Sequence, residues 1–285
     1  MAERSVFVSK NSYPFFEEIR VQFDYFQGFA LSQKRKSQIG LHQNFLAAYP
    51  QEKILEISST SLYSLGVALS AMNLKKQTKS GITTVESAFQ SSRIYGTHDE
   101  IGPFHEFLFL PGKECKKLVK EKSQGLHSYH YQFDGLDFYA PNYHISLFYD
   151  YLYLNALCEE ENKAVANRLL TDGYTAFTDL ATISLNCQAR SCALFVSLVK
   201  NDLIDQVRDF ESYLRLFRTT LDGKPIGQAS YENVQLLKKK DRVHLLSPLV
   251  PCRRTREDVE KWYAVHCGKL TNRKTEDNYL DLQTP

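Results

Sequence analysis

The chain has 285 residues, of which 43% are hydrophobic and 24% charged, and its formal net charge at pH 7 is +2. This length and composition allow a sizeable core in one large domain or two small ones. The near-neutral charge excludes a global field that would draw the protein onto DNA or a membrane, so any nucleic-acid contact must be local. No apolar run approaches the ~20 residues of a membrane span, and the first ten residues lack a signal peptide's apolar segment, so we expect a cytoplasmic protein.

The cysteine and histidine patterns do not indicate a metal site. The sequence contains no CxxC pair, which fits reduced thiols. The six cysteines are scattered at Cys115, Cys158, Cys187, Cys192, Cys252 and Cys267. His127 and His130 are close together, but no acidic residue lies beside them as a third ligand. We expect neither a metal nor a cofactor.

The first elements predicted along the chain are two strands with a helix between them. Alternating and β-branched residues predict strands at 18–25 and 53–57, and apolar spacing predicts a helix at 32–49. Lys34, Arg35 and Lys36 fall in the first turns of that helix, where each cation opposes the helix dipole by ~0.3 to 1 kcal/mol. A bound anion would relieve this repulsion, although a solvated charge run is the more common explanation.

The next segment, residues 62–73 with the polar KKQTKSG (75–81) that follows, is predicted to be a strand or an extended loop that ends in a turn. Asn73 follows two small residues, a position from which its amide can reach a base or sugar edge. An asparagine that caps a turn is the simpler interpretation, and on its own it is favoured.

The stretch TTVESAFQSSRIYG is the most informative part of the chain. A helix that starts at Thr83 or Thr84 would align Glu86, Gln90 and Arg93 on one polar face, at the spacing i, i+4, i+7. The neighbouring face is apolar or small, so such a helix can pack into a core while it presents a carboxylate, an amide and a guanidinium.

The same stretch has a purely structural interpretation. Thr83 and Glu86 match the capping-box pattern, in which the carboxylate bonds back to the N-cap amide and only starts a helix. From spacing alone, a cap followed by an exposed polar face is the favoured interpretation.

Residues 143 to about 200 are predicted to be mainly helical. Residues 143–157 have the spacing of a buried helix, and a following helix ends at Gly173, a good residue after a helix C-terminus. Asp179 then lies in a loop before Ser184 and Asn186, candidate N-caps of a helix that runs to about residue 200. Arg190 projects from that helix, either to bind a phosphate or to pair with Asp179, and the sequence leaves both open.

The C-terminal part contains two basic clusters, at residues 238–242 and 253–256, which either contact a DNA backbone or are simply solvated. No internal repeat or long linker divides the chain. We predict one α+β domain over residues 1–215 and a small extension over 216–285 with a mobile tail.

Several of these segments resemble a known family. VESAFQ, followed by a polar pair, a basic residue and an aromatic, resembles the VEHxFQxxKF signature of the NADAR family of N-glycosidases and ADP-ribosyl-guanine hydrolases. Other segments resemble, in the same order, its branch of antitoxins to DarT-type toxins, which ADP-ribosylate guanine in DNA. They are GFALSQKRKSQIGLH (28–42), ILEISSTS (54–61), LGVALSAMNL (65–74), YDYLYLNAL (149–157) and YTAFTDLATISLNCQARSCALF (174–195). The resemblance covers about residues 1–200.

The resemblance implies a compact, largely helical α+β fold and cleavage of the bond between ribose C1 and a guanine nitrogen. Breaking this bond builds positive charge on the ribose, so a carboxylate is the natural stabiliser or base. Glu86 fits that role, and Asp179 is the candidate that protonates or hydrogen-bonds the leaving guanine. The residues expected to bind the substrate are Asn73, Gln90, Arg93, Asn186 and Arg190.

The sequence departs from the family at Arg93, where many relatives have a lysine that forms a Schiff base with the opened ribose. Arginine stays protonated and cannot form this adduct. If covalent catalysis is obligatory, Lys34 or Lys36 is the best-placed amine. Otherwise Arg93 binds the diphosphate and Glu86 acts through water, or the protein has lost activity.

Three functions remain as hypotheses. The first is a hydrolase that removes ADP-ribose from guanine in DNA as the antitoxin to a DarT-type toxin, with single-stranded DNA preferred because a duplex must first expose the base. The second is an N-glycosidase that acts on a small nucleotide intermediate. The third is a non-catalytic protein that binds ADP-ribose or the toxin. The branch segments SQKRKS and SLNCQARS favour the first.

Overall fold

The computed structural model of the chain describes residues 1–28, 30–96, 100–126, 128–139, 142–181, 187–208, 212–213 and 216. The fold has two units. The first contains Met1–Gln77 and the described residues of 150–208, and the second contains the described residues of 78–149 together with Ser212, Tyr213 and Leu216.

Both units mix helices with short strands, which confirms the predicted α+β class. The strands are β1 (Ala2–Ser9), β2 (Phe16–Phe23), β3 (Ile54–Glu56), β4 (Lys75–Thr78), β5 (Gly81–Thr84), β6 (Arg93–Tyr95), β7 (Ser128–Phe133), β8 (Leu136–Tyr139) and β9 (Ala176–Thr178). The α-helices are α1 (Leu31–Ala48), α2 (Ser64–Ala68), α3 (Val85–Ser91), α4 (Gly112–Lys122), α5 (Asn142–Leu157), α6 (Lys163–Thr171) and α7 (Gln188–Lys200).

The first unit is built on a four-stranded sheet with the order β2-β1-β9-β3. β1 is antiparallel to β2 and β9, and β3 is parallel to β9. One face packs against α1 through a cluster of buried side chains: Val6, Val8, Val21, Phe23, Leu41, Phe45, Ile54, Ala176 and Leu180. Phe7 points to the other face and is also buried, because α7 packs on β1 and β9.

The second unit packs α3 against α4 and beside the antiparallel sheet β6-β7-β8. Aromatic rings surround α3 within this unit. The Phe89 ring stacks on Tyr131 with centroids 5.4 Å apart and meets Tyr149 edge-on at 5.2 Å. Because Val85 and Ala88 are also fully buried, the apolar face predicted for this helix is confirmed.

Most of the predicted elements are present at nearly the predicted positions. α1 matches the helix predicted at 32–49, β2 and β3 match the strands predicted at 18–25 and 53–57, and α5 matches the helix predicted at 143–157. α6 ends at Thr171, and Gly173 follows with φ +72°, the left-handed conformation that glycine adopts readily after a helix.

The strand or extended loop predicted for residues 62–73 and the following KKQTKSG is wrong at Ser64–Ala68, which form α2, but it is confirmed at β4, which is followed by a turn at residues 79–80. The helix packs directly on the chain after β3: a Cβ at Gly66 would lie 2.0 Å from the Glu56 carbonyl oxygen and 2.4 Å from Ser61 Oγ. This close contact is a tertiary effect that the local pattern does not contain. The predicted turn is present, and Asn73 Nδ2 donates to the Val67 carbonyl at 2.8 Å.

A polar network crosses the sheet of the first unit. The Thr178 hydroxyl donates to Glu56 Oε2 at 2.6 Å, and His42 Nε2 lies 2.8 Å from the same hydroxyl oxygen. Because the hydroxyl proton points to Glu56, His42 must donate through Nε2, which fixes its neutral tautomer. Burial lowers the pKa of His42 to about 4 and raises the pKa of Glu56.

We expect Gly66→Ala to lower the free energy of unfolding by about 1 to 3 kcal/mol, because the new methyl group overlaps backbone and α2 must shift. Urea denaturation followed by circular dichroism measures the change. Gly40→Ala in α1 is the matched control: its nearest neighbour would be the Asp24 carbonyl oxygen at 3.7 Å, an ordinary contact. The control should keep or slightly raise stability, and equal effects of the two variants would contradict the close packing of α2.

We expect the free energy of unfolding to fall by about 2 kcal/mol between pH 7 and pH 5 through His42 alone. The unfolded histidine binds a proton below about pH 6.5, whereas the folded one does so only below about pH 4, so acid favours the unfolded chain. The difference between wild type and His42→Gln, measured by denaturation at both pH values, isolates this contribution. Parallel pH dependences of the two proteins would contradict it.

Candidate active site

The start of α3 leaves the carboxylate of Glu86 available. Thr84 is the N-cap, and its Oγ1 accepts from the Ser87 amide at 3.2 Å. Thr83 Oγ1 instead donates to the Leu108 carbonyl, so the capping box predicted between Thr83 and Glu86 is wrong. The N-cap is therefore Thr84, one residue later than predicted. Glu86 is not used in a capping box and is available for other contacts.

Glu86 and Gln90 on α3 and Arg93, the first residue of β6, form a chain of hydrogen bonds. Gln90 Nε2 donates to Glu86 Oε1 at 3.0 Å, and Gln90 Oε1 accepts from an Arg93 terminal nitrogen at 3.3 Å. The two bonds fix the orientation of the Gln90 amide. If the amide were flipped, its oxygen would lie against Glu86 Oε1, and both atoms are acceptors. Glu86 is only 8% exposed, so the polar face predicted by the capping interpretation is not solvent-exposed.

Arg93 lies between two aromatic rings. Its guanidinium carbon lies 5.0 Å from the Tyr95 ring centroid and 5.9 Å from that of Phe89, at cation–π distance from both. Its Nε is buried, and within the part of the chain that the structure describes it has no hydrogen-bond partner. A buried donor left in this state costs about 1 to 3 kcal/mol, so a phosphate or carbonyl oxygen of a ligand would be stabilised there.

α4 adds two side chains to Glu86 that the sequence prediction missed. Lys116 Nζ, on a side chain that is 62% exposed, lies 3.9 Å from Glu86 Oε1. Cys115 is buried on the inner side of α4, where burial and the Glu86 charge raise the pKa of its thiol to about 12. The thiol therefore stays protonated. The only sequence signal was the helical spacing of the lysines in KECKKLVKEK.

Asp179 lies in the first unit, in a loop held by Glu56. The residues on both sides of Asp179 bond to this carboxylate: the Leu180 amide donates to Glu56 Oε1 at 3.0 Å, and Thr178 donates through its hydroxyl. Asp179 is 5% exposed, and its charge, after burial, contributes to raising the pKa of the Cys187 thiol. Sequence prediction missed Glu56, although a charged residue within the apolar run ILEI was a signal.

The structure gives Arg190 a partner that the sequence prediction did not name. Its terminal nitrogen lies 2.9 Å from Asp150 Oδ2, and Ser191 Oγ donates to Asp150 Oδ1 at 2.6 Å. Burial raises the pKa of Asp150, and Arg190 opposes that shift. The pair lies in the first unit and is nearly excluded from water, which indicates a structural contribution from Arg190.

α7 ends at Lys200 as predicted, but its start differs from the prediction. The helix begins at Gln188 with Cys187 as the N-cap, so the predicted N-caps Ser184 and Asn186 are wrong, and both lie outside the described residues. The Gln188 side chain explains part of the difference, because it bonds to the Ile57 carbonyl at 2.7 Å and to the Ala71 amide at 2.8 Å.

Lys34, Lys36 and Asn73 lie in the first unit. Lys34 is half-buried and Lys36 is exposed, both in the first turns of α1, which have no acidic residue and no side-chain N-cap. The Lys36 ammonium lies 5.9 Å from the Phe26 ring centroid. Asn73 is exposed and donates to the turn after α2, in agreement with the turn-capping interpretation.

The predicted residues thus form separate groups. Glu86, Gln90 and Arg93 are joined in the second unit, whereas Asp179 and the remaining described candidates belong to the first. A groove of about 330 Å³ in the first unit contains none of them. Its lining residues are Ile39, His42, Gln43, Leu46, Glu52, Lys53, Ile54, Leu62, Tyr63 and Tyr174.

The described part of the chain has neither a cluster of metal-binding side chains nor a helix suited to a membrane. No three or more His, Cys, Asp or Glu side chains are grouped there so as to hold a metal ion. None of the helices in that part combines the length and the apolar character needed to cross a membrane.

Comparison with known proteins gives the family. The sequence has no match among curated proteins. The family described as DarT1-associated NADAR antitoxin matches residues 2–225, which is more than half of the chain and includes Glu86, Gln90, Arg93 and Asp179. The match agrees with the resemblance that the sequence motifs indicated. With a match over this length, the chain belongs to the family of DarT1-associated NADAR antitoxins.

Proposed function

We propose that the protein hydrolyses the bond between ADP-ribose and guanine in DNA and so reverses modification by a DarT-type toxin. The observation that carries the proposal is the hydrogen-bonded series Glu86–Gln90–Arg93, which lies in the segment that resembles the family signature. The series combines a carboxylate withdrawn from solvent with a guanidinium that retains a free buried donor.

The carboxylate of Glu86 suits the charge that develops in this reaction. As the bond between ribose C1 and the guanine nitrogen breaks, its electron pair moves to the base and positive charge builds on the ribose. A fixed carboxylate stabilises that charge and accepts a proton from the water whose oxygen forms the new bond to C1. Guanine leaves with a proton on its nitrogen, and Asp179 is the proposed donor.

Gln90 and Arg93 have separate tasks in this proposal. Gln90 is a positioning residue, because its two hydrogen bonds set the orientation of the Glu86 carboxylate relative to Arg93. Arg93 binds the diphosphate of ADP-ribose, since its charge is permanent and its unsatisfied Nε can donate to a phosphate oxygen.

A covalent route is the alternative for the same reaction. An amine would attack C1 of the opened ribose, expel guanine and form a Schiff base, which water would then hydrolyse to release ADP-ribose. Arg93 cannot supply the amine, and Lys34 and Lys36 are the residues of α1 proposed for this step. Asn73, Asn186 and Arg190 remain proposed contacts to the rest of the substrate.

Glu86→Gln tests the main proposal, because it keeps a hydrogen-bond acceptor of nearly the same shape and removes the charge. We expect the release of ADP-ribose from a single-stranded oligonucleotide with one ADP-ribosylated guanine to slow by about 10² to 10⁴-fold. Chromatography of the released nucleotide gives the rate. Glu114→Gln, which neutralises an exposed carboxylate on α4, is the control and should keep wild-type activity.

The outcomes of this assay separate the three hypotheses. Full activity of Glu86→Gln would exclude the proposed role of the carboxylate. Cleavage of free nucleotide adducts without cleavage of DNA would favour the small-molecule N-glycosidase. Tight binding of ADP-ribose by wild type without turnover of any adduct would favour the non-catalytic binder.

Arg93→Lys tests the proposed diphosphate contact. Lysine keeps the charge but loses the planar set of donors, so we expect about tenfold weaker binding of ADP-ribose and a higher KM, with a smaller change in kcat. Calorimetry with ADP-ribose and steady-state kinetics measure these effects. A higher kcat together with an adduct that borohydride traps would instead indicate Schiff-base chemistry at this position.

A further inference from the structure

The outward face of α4 is the most basic described surface of the second unit. Five lysines and two glutamates give α4 a net charge of +3, whereas the whole chain has only +2. The helix buries Cys115 and Val119 against the core, and every lysine points outward and is exposed. α4 therefore has a local excess of positive charge that the near-neutral chain as a whole does not have.

Three of these lysines lie along one stripe. Lys113, Lys117 and Lys120 follow the spacing i, i+4, i+7 and span about 10 Å of the helix axis. Among the described residues, Lys113 and Lys120 have no ion-pair partner, and Lys117 has only a loose contact of 3.9 Å with Glu121. The stripe thus has positive charge that the protein does not neutralise.

Helix stability does not account for the whole stripe. Lys120 is in the last turn, where it interacts favourably with the helix dipole, but Lys113 is in the first turn, where it opposes the dipole. Like charges at i, i+4 also cost about 0.2 to 0.5 kcal/mol per pair. An anionic ligand along this face would remove both costs.

The helix that carries the stripe also reaches the candidate catalytic carboxylate. Lys116, on the same helix, lies 3.9 Å from Glu86 Oε1, and α4 packs directly on α3. Just before α4, the Phe109 ring is 55% exposed and lies against the turn at Gly81, where an added Cβ would be 3.5 Å from the ring. Lysines next to an exposed aromatic ring are the usual combination at surfaces that bind single-stranded nucleic acid.

We propose that Lys113, Lys117 and Lys120 bind the phosphodiester backbone of the single-stranded DNA next to the modified guanine, and that Phe109 stacks on a neighbouring base. The inference rests on the proposed function, since it supplies the substrate contact for Glu86. It places the DNA contact on α4, whereas the basic clusters at 238–242 and 253–256 that the sequence indicated lie outside the described residues.

The test is the triple variant Lys113→Gln/Lys117→Gln/Lys120→Gln, with Lys116 kept. Fluorescence anisotropy with an unmodified, labelled single-stranded 15-mer over 50 to 300 mM salt should show about tenfold or more weaker binding than wild type at 100 mM. The slope of log K against log salt should decrease by about 2, since each lost phosphate contact contributes about 0.7 in single strands.

The matched control is Lys10→Gln/Lys163→Gln/Lys200→Gln, which removes three exposed charges from the first unit. The control should bind the oligonucleotide like wild type. Wild-type affinity of the α4 variant, an equal loss in the control, or no binding by wild type would each overturn the proposal.

Cleavage rates on two substrates distinguish a failure of this inference from a failure of the proposed function. The α4 variant should cleave ADP-ribosylated guanosine, which has no flanking phosphates, at the wild-type rate, and should lose activity only on the modified oligonucleotide. If wild type cleaves neither substrate, the proposed function fails, and the anisotropy experiment still decides whether α4 binds DNA.

Discussion

A buried carboxylate is stable only when hydrogen bonds or a positive charge replace the water that it has lost, and this constraint organises the candidate site. Glu86 meets it through Gln90, whose amide is held in one orientation by Arg93. The ring of Phe89 and the small side chains of α3 fill the core behind them. α3 therefore contributes to the packing of the second unit and presents the acid and the amide, while Arg93 at the start of β6 adds the cation.

The first unit holds its own carboxylate by a different arrangement. Glu56 bonds to both residues that flank Asp179, and the Thr178 hydroxyl connects Glu56 to His42. Burial lowers the pKa of His42 to about 4, so the imidazole is neutral at pH 7, and burial also raises the pKa of Glu56. Asp150 and Arg190 form a second buried polar group at α7. Such groups are stable only when each member is satisfied, which restricts the loop at Asp179 to few conformations.

In these proposals, different charged groups bind the DNA and stabilise the transition state. The near-neutral chain has no global attraction for nucleic acid, so the contact must be local, and the proposed source is the lysine stripe on α4. Arg93 is the corresponding positive group inside the site, where low exposure strengthens each charged contact. A carboxylate next to these cations is well suited to the positive ribose of the transition state, while the cations face the phosphates.

The sequence by itself determined the features that depend on residues close together in the chain, namely helices, their ends and their faces. It predicted α1, α5, the end of α6 and the shared helix face of Glu86 and Gln90, because helical periodicity and a terminal glycine are local signals. The prediction that Arg93 lies on the same helix is wrong: α3 ends at Ser91, and Arg93 reaches Gln90 from the start of β6. Its motifs also indicated the family. The tertiary structure decided which residues become partners: Thr84 rather than Thr83 caps α3, Asp150 pairs with Arg190 across 40 residues, and Glu56 binds Thr178 across 122. Contacts of this range depend on how the elements pack, and no local pattern contains that information.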